Sequence, residues 1–253
     1  MAMTQLLTLE IYSFMTIFLR VGSAILIMPG FMVSYVNMRQ RLSIALALTL
    51  VLIPLISARL PLPSQNFGEF IKTIMFEITY GLFLGLCMQF LYAALSLVGN
   101  FAGQAIGFSN AQMFDPTFQT QSIVLETFLS IIALTIIFIT DLHHLMISAV
   151  VDSYTLFPVG SALPVDNFAE FLSKSLNNSF ITGFKIASPF IAFTIIFYTG
   201  MGLISRLMPQ LNIFFLSLPL QIYLGLGLLF MTVPIIIVWF TKYYEDGLFR
   251  FVK

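Results

Sequence analysis

The sequence predicts an all-α integral membrane protein of about six apolar helices arranged as kinked hairpins. Three observations carry that expectation. Of 253 residues, 59% are hydrophobic and only 9% are charged. A soluble domain needs about 25% charged residues to cover its surface, so this chain cannot cover one. Mean hydropathy is +0.99, and apolar runs of roughly bilayer length recur between short polar breaks.

The same numbers exclude several functions. Net charge is zero, which removes the electrostatic case for nucleic acid. Cys87 is the single cysteine and lies inside an apolar run, where it reads as a small buried hydrophobe. No Walker motif, dinucleotide fingerprint or metal-ligand spacing occurs, and no nucleophile motif frames a serine. The expectation is therefore no enzyme, no cofactor and no metal. The amino terminus is not expected to be a signal peptide, because Glu10 precedes its apolar run and Arg20 interrupts it.

The first run spans residues 6–31 and ends at Pro29-Gly30. Arg20 lies near its middle, where a lone arginine costs about 2.5–3.5 kcal/mol, so it should face protein or water. Asn37, Arg39, Gln40 and Arg41 make a polar break. The second run, 42–56, is short for a span and contains Pro54; Arg59, Pro61 and Pro63 close it. The third run covers 70–98, with Lys72 and Glu77 in its first turns. Gly81 and Gly85 form a small-xxx-small pair suited to close helix packing.

Residues 99–116 are the stretch around which the rest is organised. Gly99, Gly103, Gly107 and Ala111 recur every fourth residue and make a smooth ridge while the chain is helical. Asn100, Gln104, Ser109, Asn110, Gln112 and Asp115 bring polarity without a Lys or Arg. Asp115-Pro116 suits the restart of a helix, with Asp115 as its cap. The reading is a close-packed helix, a short loop tipped with Phe108, Met113 and Phe114, then a new helix. A polar loop at that depth is tolerable only in protein or beside a watery cavity, which hints at a pore.

The next run, 123–139, carries Glu126 near its start. Asp141, His143 and His144 interrupt it, and 145–151 resumes it. Adjacent histidines on a helix point about 100° apart, so the pair is not expected to grip one metal. Residues 152–166 read as an external loop and 168–180 as an amphipathic surface helix. Two further runs follow, 186–204 with Pro189 and 213–240 with Pro219 and Pro234, then a mixed-charge tail. The prolines at 29, 54, 189, 219 and 234 are expected to kink or break helices. Loop charges orient the chain only weakly, towards a cytoplasmic tail. The thirteen methionines and twenty-eight phenylalanines read mostly as lipid-facing or core residues.

Glu77, Glu126 and Asp141 admit two readings: a proton relay, as in a secondary transporter, or structural groups. The structural reading is preferred, with the acids capping helices or pairing with Arg20 or Lys185 at a subunit contact. A transporter would also call for an internal repeat, and none is visible.

Two motifs carry a family resemblance. One is Gly103-Gln104-Ala105-Ile106-Gly107-Phe108 through Asp115-Pro116. The other is Arg206-Leu207-Met208-Pro209-Gln210-Leu211-Asn212-Ile213-Phe214 through Pro219, followed by Gly225. In these motifs, and in length and order of apolar runs, the chain resembles the FliR family of flagellar type III export-gate proteins. Homologues of the SpaR and SctT type in virulence secretion look similar. The resemblance implies an export-gate subunit in the bacterial inner membrane, in the flagellar basal body. It implies several copies each of FliP and FliQ as partners, helically packed around a pore, with FlhB and FlhA as further partners. Unfolded export substrates would pass through. Residues 1–253 would be one membrane domain, about 1–177 FliP-like and about 178–244 a FliQ-like hairpin, with 245–253 a cytoplasmic tail. Within that reading Phe108, Ser109, Asn110, Gln112, Met113 and Phe114 form a pore plug, because bulky apolar groups can shut a narrow pore by dewetting.

Overall fold

The computed structural model describes residues 2–31, 36–62, 66–107, 124–161, 165–210 and 213–252. Among them are seven α-helices: α1 (Ala2–Ile27), α2 (Met38–Ile56), α3 (Phe67–Ile106), α4 (Val124–Ile139), α5 (Leu142–Leu156), α6 (Val165–Leu207) and α7 (Ile213–Leu248). No strand occurs among the described residues. Parts of α1, α2, α3, α6 and α7 are long and apolar enough to cross a membrane. α4 and α5 pass only together, as a pair broken at Thr140–Asp141. The expected count of about six holds if that pair is one span.

Local chemistry explains the helix ends. α1 stops where Pro29 follows and Gly30 takes φ 92°, a left-handed turn open to glycine. α2 starts at Asn37, whose backbone N–H donates to Gln40 Oε1 at 3.2 Å. α5 starts after Asp141, whose φ of 57° breaks the helical path from α4.

Of the kinks or breaks expected at the prolines, no break occurs at four of them, and two expected boundaries need correction. Pro54, Pro189, Pro219 and Pro234 all lie inside continuous helices. Each helix runs on past the hydrogen bond that each proline removes, which long apolar helices tolerate. The amphipathic segment 168–180 and the run 186–204 are likewise one 43-residue helix. Nothing in the intervening Ile181-Thr182-Gly183-Phe184-Lys185 forces a break. Residues 152–156 of the expected external loop also belong to α5.

The chain divides into two compact units. The first comprises Met1–Leu91, Thr140–Leu176 and Glu245–Lys253; the second comprises Tyr92–Ile139 and Asn177–Tyr244. α3, α6 and α7 each contribute residues to both.

In the first unit α1 packs on α2, and both touch α5. An aromatic cluster ties α3 to the segment after α5. Phe83 stacks on Phe168 at 4.0 Å, and Phe157 meets both edge-on at 6.3 and 5.2 Å. Phe171 extends the cluster to Phe251 at 5.3 Å. Residues 245–248, expected in the tail, are the last turn of α7. A Cβ on Gly247 would lie 2.6 Å from Leu91, so the bare backbone is needed there.

In the second unit α3 is the shared wall. Tyr92 donates to the Ser130 carbonyl of α4 at 3.0 Å, and Gly183 of α6 lies against the Ala94 carbonyl and Leu97 of α3. Small residues set how closely these helices approach, as membrane packing requires.

Candidate functional site

Two polar constructions stand out from the apolar background, one in each unit. The first follows from spacing on α3. Glu77, Gly81 and Gly85 lie four apart and share one face. A Cβ on Gly81 would overlap Ser23 and the Arg20 carbonyl, and one on Gly85 would sit 2.9 Å from the Ala24 carbonyl. The two glycines thus seat α3 directly on α1. One turn before Gly81, Glu77 then reaches Arg20.

Both side chains are fully buried. Arg20 Nε donates to Glu77 Oε2 at 2.6 Å, and Nη2 donates to Oε1 at 2.9 Å. This is the parallel two-bond geometry that a guanidinium offers a carboxylate. The other donors are also used: Nη1 reaches Ser153 Oγ at 3.2 Å and Nη2 the Phe157 carbonyl at 3.0 Å. The guanidinium carbon lies 4.0 Å from the Tyr154 ring centroid and 4.8 Å from that of Tyr80. Arg20 therefore joins α1, α3 and α5 and faces protein, not lipid. With both oxygens engaged by Arg20, Glu77 is placed as a structural partner.

The second construction is the end of α3 at Gly107. A helix end leaves carbonyls without partners. Here Gly107 turns left-handed at φ 87°, and its N–H reaches the Gln104 carbonyl at 3.1 Å. Gln221 of α7, 2% exposed, donates from Nε2 to the Ala105 carbonyl at 2.8 Å. Gly225, one turn further along α7, lies against Ile106, where a Cβ would come within 2.7 Å. Gly99, two turns earlier on α3, lies against the backbone of Glu126, where a Cβ would come within 2.6 Å of the Glu126 Cα. The end of α3 is therefore fixed from both sides by close backbone contact and a buried amide.

With this geometry in view, comparison with known proteins gives the family. The pattern described as "Bacterial export proteins, family 1" matches residues 11–247. The chain belongs to that family. The flagellar biosynthetic protein FliR of Caulobacter vibrioides is 36% identical over 238 residues, covering 93% of this chain and 94% of the relative. The FliR proteins of Escherichia coli and Bacillus subtilis are 30% and 29% identical. They cover 78% and 89% of this chain, and 75% and 88% of their own lengths.

The remaining expected residues of this family member fall unevenly. Gly103 is buried in the last turns of α3. Glu126 is half-buried and makes its close contact through backbone. Lys185, expected to be buried at a subunit contact, is exposed in the single chain: α6 turns it outward while Gly183 faces α3. Phe108, Ser109, Asn110, Gln112, Met113 and Phe114, the expected plug, lie outside the described residues.

The histidine geometry also differs from expectation. His143 and His144 occupy the first turn of α5, and their ring centroids are 4.1 Å apart. With Asp141 they bring three possible metal ligand atoms within 4.8 Å of one another. Such convergence is possible because Asp141 precedes the regular helix, leaving its side chain free to lean over the first turn. His144 and Asp141 are both well exposed.

Reading along the chain missed Gln221. Its signal was present: a lone amide inside the apolar run 213–240 should find a buried partner. The aromatic cluster of Phe83, Phe157 and Phe168 gave no comparable signal among so many phenylalanines.

Proposed function

We propose that this chain is a subunit of a flagellar type III export gate in the bacterial inner membrane. In this reading it joins several copies of FliP and FliQ around a pore that passes unfolded flagellar proteins, with FlhB and FlhA as further partners. Residues 178–244 act as the FliQ-like hairpin, and the loop 107–115 closes the idle pore. The carrying observation is the family match across residues 11–247, together with relatives that bear a flagellar name over nearly their whole length. The fixed base at Gly107 supports the plug assignment, because a movable seal needs a firm hinge. Gly107 supplies the hinge conformation and Gln221 the fixed point.

The acidic-relay alternative gains nothing from Glu77, whose oxygens are committed to Arg20. The flagellar assignment is preferred over a virulence system because the relatives above are flagellar proteins.

The test has two stages. Affinity purification in mild detergent should bring FliP- and FliQ-like proteins with this chain as one particle. The triple substitution Phe108→Ala, Met113→Ala and Phe114→Ala should then leave assembly intact but raise ion conductance in planar bilayers, since a widened apolar constriction wets. An assembled mutant gate that conducts as little as the parent removes the plug from this loop.

A further inference from the structure

The first unit contains two buried arginines with opposite circumstances. Arg20 has a carboxylate. Arg41, in the first turn of α2 and 4% exposed, makes no ion pair among the described residues. Its Nη2 donates to the Leu26 carbonyl at 2.6 Å, and its Nε is buried without a hydrogen-bond partner. A buried guanidinium with an idle donor is costly unless an anion reaches it.

Arg41 also lines an apolar groove of about 270 Å³ between α1 and α2. Phe18, Gly22 and Leu26 form one wall; Met38, Leu42 and Ala45 form the other. The bond to Leu26 places Arg41 at the C-terminal end of α1. Phe18 lies eight residues back along that helix, about 12 Å at 1.5 Å per residue. The rim is apolar and open: Leu26, Met38 and Leu42 are 43%, 64% and 48% exposed. Beside Arg41, the exposed Asn37, Arg39 and Gln40 mark where α2 emerges towards water.

A cation at the watery end of an apolar slot, on two helices apolar enough to span a membrane, has the profile of an amphiphile site. We propose that this groove holds one anionic phospholipid, its phosphate on Arg41 and an acyl chain along Phe18, Gly22 and Leu26. A partner helix would instead need its own carboxylate beside an otherwise apolar face.

The experiment is native mass spectrometry of the full-length chain, alone and in the complex it purifies with. The chain is released from mixed micelles holding equal phosphatidylglycerol and phosphatidylcholine of identical acyl chains. The parent should retain phosphatidylglycerol about fivefold over phosphatidylcholine, the weight of one basic side chain at an anionic surface. Arg41→Gln should bring that ratio near one, and Arg59→Gln, three residues past the far end of α2, should leave it unchanged.

Gly22→Leu tests the slot separately. A Cβ at Gly22 meets only the Phe18 ring, at 3.9 Å, so a larger side chain fills the groove without straining the fold. It should abolish retention of both lipids. Equal retention of the two lipids by the parent, or an undiminished ratio in Arg41→Gln, overturns the proposal. So does a complex that retains no lipid while Leu42→Cys cross-links to a partner chain, which would assign the groove to a protein contact.

Discussion

Replacing Arg20 by methionine removes a guanidinium that touches three helices and keeps most of the side-chain volume. Glu77 would then stand fully buried with two bare oxygens. Breaking a buried pair from one side costs about 3–5 kcal/mol, chiefly from the stranded charge. The lost bonds to Ser153 and the Phe157 carbonyl add to this, at about 1 kcal/mol or more each for a charged donor. A destabilisation of about 4 kcal/mol or more is expected. Adding Glu77→Met should recover most of it, because an apolar pair of similar volume is often as stable as the ions. The double-mutant cycle should therefore give a coupling of about 3 kcal/mol, where independent sites would add within about 0.5 kcal/mol. The assay is detergent-driven unfolding in mixed micelles, followed by circular dichroism. Arg59→Ala serves as the exposed control, within about 0.5 kcal/mol of the parent. A loss below about 1 kcal/mol for Arg20→Met, or simple additivity in the double mutant, would refute the reasoning.

Gly81→Leu should separate α3 from α1, because even a Cβ overlaps Ser23 and the Arg20 carbonyl; expect about 3 kcal/mol lost, or no accumulation of the chain in membranes. Gly200→Leu, where nothing lies within 4 Å of the added Cβ, should accumulate normally in the same blots. Gln221→Leu leaves the Ala105 carbonyl without its partner and should cost about 1–3 kcal/mol. Gly107→Ala should cost about 1 kcal/mol from its left-handed backbone. Both should speed hydrogen exchange in the last turn of α3, and unchanged exchange would mean that turn is held by something else.

What could be read along the chain was whatever local rules govern. Apolar runs located the helices, and small-xxx-small spacing singled out Gly81, Gly85 and Gly99, each of which lies against another helix's backbone. Arg20 was recognisable as a residue that must avoid lipid, because its desolvation is a property of the side chain alone. Its partner was not recognisable. Glu77 is 57 positions away, and Glu126 and Asp141 were equally acidic. Only the register of α3 on α1, set by the two glycines, selects Glu77. Pro189 allowed either a kink or a break, and the choice lay outside local rules for a related reason. Local propensity predicts a break, whereas packing of Phe190 and Ala187, both fully buried, holds the helix across it. Gln221 was legible in principle, since a buried amide announces itself by being alone.

The surface of α6 bears on whether the chain is complete by itself. Lys185 is exposed and lines a groove with Trp239, and both residue types favour the membrane–water boundary. From Lys185 to the helix end at Leu207 is about 33 Å at 1.5 Å per residue, close to the ~30 Å hydrocarbon thickness. That stretch alone accounts for one crossing with little tilt. Phe180 and Ile181 lie on the other side of Lys185, 52% and 41% exposed, on the approach to the solvated Glu170–Lys174 pair. These bulky apolar groups stay uncovered within the chain. Only 22% of the most apolar stretch of α6, and 17% of that of α7, is buried within the chain, against 61% for α3. α3 is thus the internal core of the fold, while α6 and α7 present their faces outward. An exposed apolar surface of this extent suits a subunit of a larger assembly, and it is where partners of the proposed gate would pack.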